Sequence, residues 1–242
     1  PAGANAKVTG NLTWAAGGKF GAAPVLKNES PIDLGDLGDF ARDKPFTLAL
    51  WLRSPKDGLN GSIIARMDDK AAHRGWDLLQ ENRNLAFHLI DKWPDNALKV
   101  STTKPALTPG KWQHVTVTYN GSGKPGGLKL YLNGVDTPIK ASVDKLKPDA
   151  VIHAATPLRL GRRSDSMFYE DGQVQDVRIF NRLLSLQEAD RLYQFPDLNN
   201  ALTAGQKRKP EQIETLFKNY LASRDKAWQD LNLAVVKLEG ER

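Results

Sequence analysis

Between Ile64 and Asn96 the sequence reads IARMDDKAAHRGWDLLQENRNLAFHLIDKWPDN. It gathers Arg66, Asp68, Asp69, His73, Arg74, Asp77, His88 and Asp91 around two tryptophans, Trp76 and Trp93. Indole faces stack on the apolar side of a pyranose ring, and Arg and Asp side chains bond paired hydroxyls bidentately. That combination is the chemistry of a carbohydrate site. A competing reading makes Arg66, Asp68, Arg74 and Asp77 an internal salt-bridge network that braces two hairpins. Trp93 precedes Pro94-Asp95-Asn96, a turn signal that places its indole on a loop. Trp76 alternates with Leu78, so it fits a core position as well as a ligand contact. The expected site is one shallow surface lined by Arg66, Asp68, Arg74, Trp76, Asp77, His88 and Trp93, with the Arg162-Arg163 pair. So many arginines favour a sulfated or uronate-bearing ligand, whereas a neutral glycan fits if Asp68 and Asp77 neutralise them.

Other chemistries find less support. The histidines His73, His88, His114 and His153 lack HExxH or comparable metal-ligand spacing. No Gly-x-Ser-x-Gly elbow marks a serine hydrolase. Glycoside hydrolysis needs two carboxyl groups facing one cleft, and no alternating Glu-x-Asp-x-x-Glu strand occurs. In IDLGDLGD, Asp33, Asp36 and Asp39 recur every third residue between glycines, a pattern of turns rather than a calcium loop. GSGKPGG, from Gly121 to Gly127, lacks the first glycine and the following helix of a phosphate loop, so it reads as a hairpin connection. A non-catalytic role is the expectation.

The chain has 242 residues, enough for one large β domain and a smaller element. Its 34 basic residues exceed its 28 acidic ones, for a net charge of +6. The basic residues are interleaved with acids along the chain, which disfavours a nucleic-acid face. No run approaches the roughly 18 apolar residues of a membrane helix, so no membrane insertion is expected. Cysteine is absent, which excludes disulfides and thiolate metal sites. The chain starts at Pro1 without a signal-like segment, the pattern of an excised or processed piece.

Periodicity divides the chain near Pro196. Before it, short alternating runs such as PFTLALWLR, NLAFHLI and HVTVTYN predict strands that bury Phe46, Leu48, Leu50 and Leu52, then Leu85, Phe87 and Leu89, then Val115, Val117 and Tyr119. Asn133-Gly134 predicts a type I′ hairpin turn. In GQVQDVRIF the apolar phase changes between Val174 and Val177, predicting a β-bulge near Gln175-Asp176. Ser185 and Glu188 form a capping box for a short helix ending about Tyr193, followed by the linker FPDLNNALTAG. Beyond it, Ile213, Leu216, Phe217, Tyr220 and Leu221 form one helical stripe, and Trp228, Leu231, Val235 and Leu238 another. The predicted fold is all-β, an antiparallel sandwich over residues 1–196, with 197–242 as a linker and helical tail leading to a neighbouring domain.

FTLALWLR, GKWQHVTVTYNGSG, LKLYLNG, LRLGRR and VQDVRIFNRLLSLQEADRLY occur in the order seen in laminin-G-like domains of the concanavalin A-like lectin/glucanase class. The resemblance implies a two-sheet jelly roll and a binding role, often toward oligosaccharide or polysaccharide. ARMDD, RGWDL and HLIDKWPDNALKV, with the helical tail, resemble the version embedded in large planctomycete-type exported proteins that also carry cytochrome c-like domains. Secretion or periplasmic location is implied by that resemblance alone. Relatives often place an Asp where Gln175 stands, and it helps hold a structural calcium. Here Asp176 stands alone, which weakens the case for that ion, and no other cofactor is implied.

Overall fold

Period-two alternation resolves into two stacked antiparallel sheets. The computed structural model describes residues 6–240. The first strands are β1 (Lys7–Val8), β2 (Thr13–Gly18), β3 (Gly21–Val25), β4 (Ile32–Asp33) and β5 (Phe46–Arg53). A meander follows in β6 (Asn60–Asp68), β7 (Arg74–Glu81), β8 (Asn84–Lys92) and β9 (Asn96–Thr102). The rest are β10 (Trp112–Tyr119), β11 (Leu128–Leu132), β12 (Val135–Thr137), β13 (Ile139–Asp144), β14 (Arg159–Leu160) and β15 (Gln173–Phe180). One sheet has eight strands in the order β1-β4-β14-β6-β7-β8-β9-β13, and the other has seven in the order β12-β11-β10-β5-β15-β3-β2.

The main core lies between the two inner faces. Leu48, Leu50 and Leu52 of β5 and Val115, Val117 and Tyr119 of β10 meet Leu78, Phe87, Leu89, Leu98 and Val100 from the opposing sheet. Phe40 and Phe46 stack with centroids 3.9 Å apart, and Trp76 joins them at 5.4 and 6.5 Å. The outward-facing residues are less exposed than alternation suggests. Ala86, Thr116 and Thr118 are buried although they face away from the core, so much of each outer face is covered. On the eight-stranded sheet, Ala65, Met67, Ile90 and Ala97 form a second apolar cluster, against which Trp93 and Val143 pack.

Several local expectations are met. Asn133 and Gly134 both have positive φ and link Leu132 to Val135 as a two-residue hairpin. The β15 pairing jumps from Gln175↔Trp51 to Arg178↔Ala49, one extra residue on β15, with Asp176 at φ 52°. Ser185 and Glu188 cap each other reciprocally at 2.9 and 3.2 Å. The 121–127 connection is a hairpin closed by a 3-10 turn over Pro125–Gly127, with Tyr119 Oη accepting from the Gly123 N–H.

The helix after Ser185 is longer than the sequence reading predicts. α1 runs over Leu186–Thr203, through Pro196 and the segment read as a linker. Proline withdraws only one i→i−4 donor, here from the Leu192 carbonyl, and helical backbone continues on both sides. The chain divides into two compact units between Leu192 and Tyr193, at the turn where that donor is missing. In the second unit α2 (Pro210–Arg224) and α3 (Lys226–Gly240) follow, with Gln212 Oε1 accepting the Lys209 N–H at the start of α2. Ile213, Phe217, Tyr220, Leu231 and Val235 of the two predicted stripes are exposed, and the Leu238 side chain lies outside the described residues.

Three outcomes follow from this packing. Gly75 has φ +128°, and a Cβ there would come within 2.0 Å of the Arg66 carbonyl oxygen and 2.8 Å of Met67 Cα. Gly75→Ala therefore costs at least about 3 kcal/mol, measurable by denaturant unfolding. His114 is buried, and burial, aided by the Arg178 charge, pulls its imidazole down to about 4. The unfolded chain takes up that proton first, so stability is complete above about pH 6.5 and falls toward pH 4, by at most about 3 kcal/mol. The melting temperature of His114→Gln should fall less over that window than that of the parent. Deleting residues 206–242 should leave cooperative sandwich unfolding in place, with only a few degrees lost by calorimetry; recovery solely as aggregate would refute the separateness of the sandwich.

Candidate functional site

Asp77 stands on the outer face of β7, opposite Ala65 on one side and His88 on the other. Its carboxylate is fully buried. Oδ1 accepts from His88 Nδ1 at 2.7 Å, and Oδ2 accepts from Arg163 Nε at 2.7 Å. Burial would raise this carboxyl, but the charges of His88 and Arg163 and their hydrogen bonds overcome it and hold it down at about 2. Asp77 therefore stays ionised, and it fixes the orientation of both partners.

Arg163 comes from the loop between β14 and β15, far away in sequence. That loop is moored along β6 by backbone bonds from Gly161 N–H to Ile63 O and from Ser62 N–H to Met167 O. Asp69 ties it further. Its Oδ2 accepts from Ser164 Oγ and the Asp165 N–H, and its Oδ1 from Ser166 Oγ and His73 Nδ1, at 2.8–3.1 Å. Burial raises the Asp69 carboxyl, and the Asp165 N–H with the Ser166, His73 and Ser164 bonds reverse this, leaving it below its ordinary value. The Trp93 N–H donates to the Ala72 carbonyl, which brings the Trp93 turn beside His73. Trp93 meets His88 edge-on at 5.2 Å and 89°.

These elements enclose a cavity of about 190 Å³ on the outer face of the eight-stranded sheet. His73, His88, Arg163, Glu81 and Lys99 give it polar walls, and Trp93, Leu79, Ile90 and Met167 give it apolar ones. Lys99 Nζ is spent on Glu81 at 2.5 Å. Nε is the one guanidinium nitrogen of Arg163 with a hydrogen-bond partner among the described residues, so its Nη groups remain for a ligand.

Of the nine residues selected from sequence, Asp77, His88, Trp93 and Arg163 converge here. The other five do not, so the single surface expected from the sequence is corrected to a smaller site. Trp76 is on the opposite face of the same strand, 1% exposed, and donates its Nε1–H to the Gly38 carbonyl at 2.7 Å. Arg66 pairs across the ladder with Trp76 and is likewise turned away, bound to Asp36 at 2.6 Å and Asp39 at 3.3 Å. The acids of IDLGDLGD thus hold turns and an arginine. Arg74 pairs with Asp91 at 3.1 Å, Asp68 accepts the Lys70 N–H, and Arg162 bonds Asn28 Oδ1 and the Ser164 carbonyl and lies over Phe168. Arg66 and Arg74 are thus in ion pairs of the kind the competing reading describes. His73, Asp69, Glu81 and Lys99 were not among the candidates; Asp69-x-x-x-His73 and the outward parity of Glu81 with Asp77 were the signals available.

Among the described residues no group of three or more His, Asp or Glu side chains could hold a metal ion. Gln175 bonds its amide to the Ala22 carbonyl at 2.9 Å and accepts the Phe20 N–H at 3.4 Å. Among those residues, too, no helix is long and apolar enough to cross a membrane.

Comparison with known proteins agrees with this architecture. The chain is 26% identical over 177 residues to adhesion G-protein coupled receptor V1 of Danio rerio, covering 69% of this chain and 3% of the receptor. The binding domain of Paraclostridial Mosquitocidal Protein 1 superposes with a TM-score of 0.63 at 20% identity, over 80% of this chain and 48% of that one. The botulinum neurotoxin serotype D binding domain does so with a TM-score of 0.60 at 19% identity, over 80% and 47%. The chain thus spans about half of each toxin binding domain and a small fraction of the receptor. Residues 26–190 match the laminin-G family model described as the concanavalin A-like lectin/glucanases superfamily, and the chain belongs to that family.

Proposed function

We propose that the chain is a non-catalytic carbohydrate-binding module of a larger exported protein, and that the cavity over β7 and β8 takes one sugar ring. The observation that carries this reading is Arg163, fixed through Nε to a buried carboxylate while its Nη groups border the same cavity as the Trp93 indole. A planar donor fork beside an aromatic wall matches a pyranose, which offers vicinal hydroxyls at its edge and an apolar face. The cavity is small against the few hundred Å³ of typical ligand sites, so a single ring of a longer chain fits and the remainder stays in solvent. Affinity is correspondingly weak for an isolated module. The relatives named as binding domains and as an adhesion receptor support a binding role. The resemblance of ARMDD, RGWDL and the tail supports a planctomycete-type parent, with residues 197–242 leading to its next domain.

A second reading is an interaction module without a glycan. It draws on the exposed Ile213, Phe217 and Tyr220 of α2 and Leu231 and Val235 of α3.

Glycan-array binding of the whole chain separates the two readings. Trp93→Ala should abolish binding at a cost of about 1–2 kcal/mol in stability, because the indole is half-buried against the small outer cluster. If melting collapses instead, the indole is architecture. Arg163→Lys keeps the charge on Asp77 but loses the fork, so binding should drop at least about tenfold while the fold persists. Unchanged binding in Arg163→Lys would remove the arginine from the site.

A further inference from the structure

Two permanent cations line the cavity over β7 and β8, and each already has its anion. Arg163 is matched by Asp77 at 2.7 Å and Lys99 by Glu81 at 2.5 Å. The register brings the two pairs together. Asp77 and Glu81 share the outward parity of β7, and His88 of β8 stands opposite both Asp77 and Lys99 of β9. Asp77 is held down at about 2, so its charge persists at neutral pH. Asp69, also held below its ordinary value, adds a negative charge behind His73, while the nearby Lys70–Asp165 pair cancels. Counted without the imidazoles, Arg163 and Lys99 stand against Asp69, Asp77 and Glu81. An anion entering this space gives up water and finds no unmatched cation.

The polar atoms left over point the same way. Arg163 is bonded through Nε, which leaves its Nη donors. Glu81 is bonded through Oε1, and its Oε2 has no hydrogen-bond partner among the described residues. Both side chains line the same cavity. A hydroxyl group uses both, because it accepts from a guanidinium and donates to a carboxylate. A uronate carboxylate or a sulfate only accepts, so it meets Oε2 charge against charge.

We infer that this cavity takes an uncharged sugar ring and that Glu81 is the residue that turns acidic rings away. The assignment rests on the carbohydrate reading and narrows its ligand class. It replaces the anionic ligand that the arginine-rich sequence favours, since Arg66, Arg74 and Arg162 are spent elsewhere and Asp77 neutralises Arg163.

The test compares binding of the full chain, at neutral pH, to neutral oligosaccharides and to counterparts whose exocyclic hydroxymethyl group is oxidised to carboxylate or esterified with sulfate. Neutral members should bind at least about tenfold more tightly than either acidic counterpart, with affinity unchanged as salt rises from about 0.05 to about 0.5 M. Glu81→Gln keeps an amide oxygen for Lys99 and removes the opposing charge. Acidic members should then gain at least about tenfold, a change that a damaged fold does not produce. Acidic members bound by the parent as tightly as neutral ones, or affinity that collapses with salt, overturns the inference while the glycan reading stands. So does an acidic-member affinity unmoved in a Glu81→Gln variant that melts like the parent. Should that variant unfold, the parent comparison and the salt series still decide. If the parent binds no member, the glycan reading falls and the inference falls with it.

Discussion

A carboxylate with no solvent contact must be neutralised where it stands, and Asp77 imposes that requirement on the outer face of the eight-stranded sheet. Transferring such a group out of water costs several kcal/mol, which a single neighbour seldom repays. Two cationic or donor groups meet it here, one per oxygen, from a neighbouring strand and from a loop 86 residues on. The β14–β15 loop must therefore lie over the sheet at one height and in one register. Its moorings to Ile63, Ser62 and Asp69 make that position unique. The cavity, the orientation of His88 and the free end of the Arg163 guanidinium all follow from satisfying one buried charge.

The same constraint explains why the outer face is not a plain solvated surface. Once the loop and the Trp93 turn cover it, small and apolar residues are favoured beneath them, and Ala65, Met67, Ile90 and Ala97 occupy that place. The sheet is then buried on both sides at its centre, and its strands lose the clean alternation of a half-exposed sheet. Asp77, His88 and Arg163 satisfy one another there, whereas the buried Ser62 hydroxyl, opposite Leu79, has no hydrogen-bond partner among the described residues.

The inner face was legible because it obeys a local rule. Leu48, Leu50 and Leu52 repeat with the strand period, the phase change at Gln175 announces the bulge, and Asn133-Gly134 announces its turn. Three residues of the candidate site were legible for the same reason, since Asp77, His88 and Trp93 come from one short stretch. Trp76 and Asp77 are consecutive in a strand, and period two alone puts them on opposite faces. The loop partners of Asp77 and Asp69, Arg163, Ser164, Asp165 and Ser166, lie 86 to 97 residues away, and no spacing rule reaches that far. Pro196 misled in a different way, because a proline signals a missing donor, and whether the helix stops there depends on packing around it.

The two Asp–His pairs differ in a way that bears on what the site can do. Asp77–His88 is deep: the carboxylate is fully buried and the imidazole 5% exposed, so that ring is held rigidly by strands and by Trp93. Asp69–His73 is shallow, with an imidazole 40% exposed on a turn where Ala72 and His73 both adopt positive φ. The deep pair is fixed from both sides and orients Arg163, whereas the shallow pair ties the turn bonded to Trp93 to the β14–β15 loop.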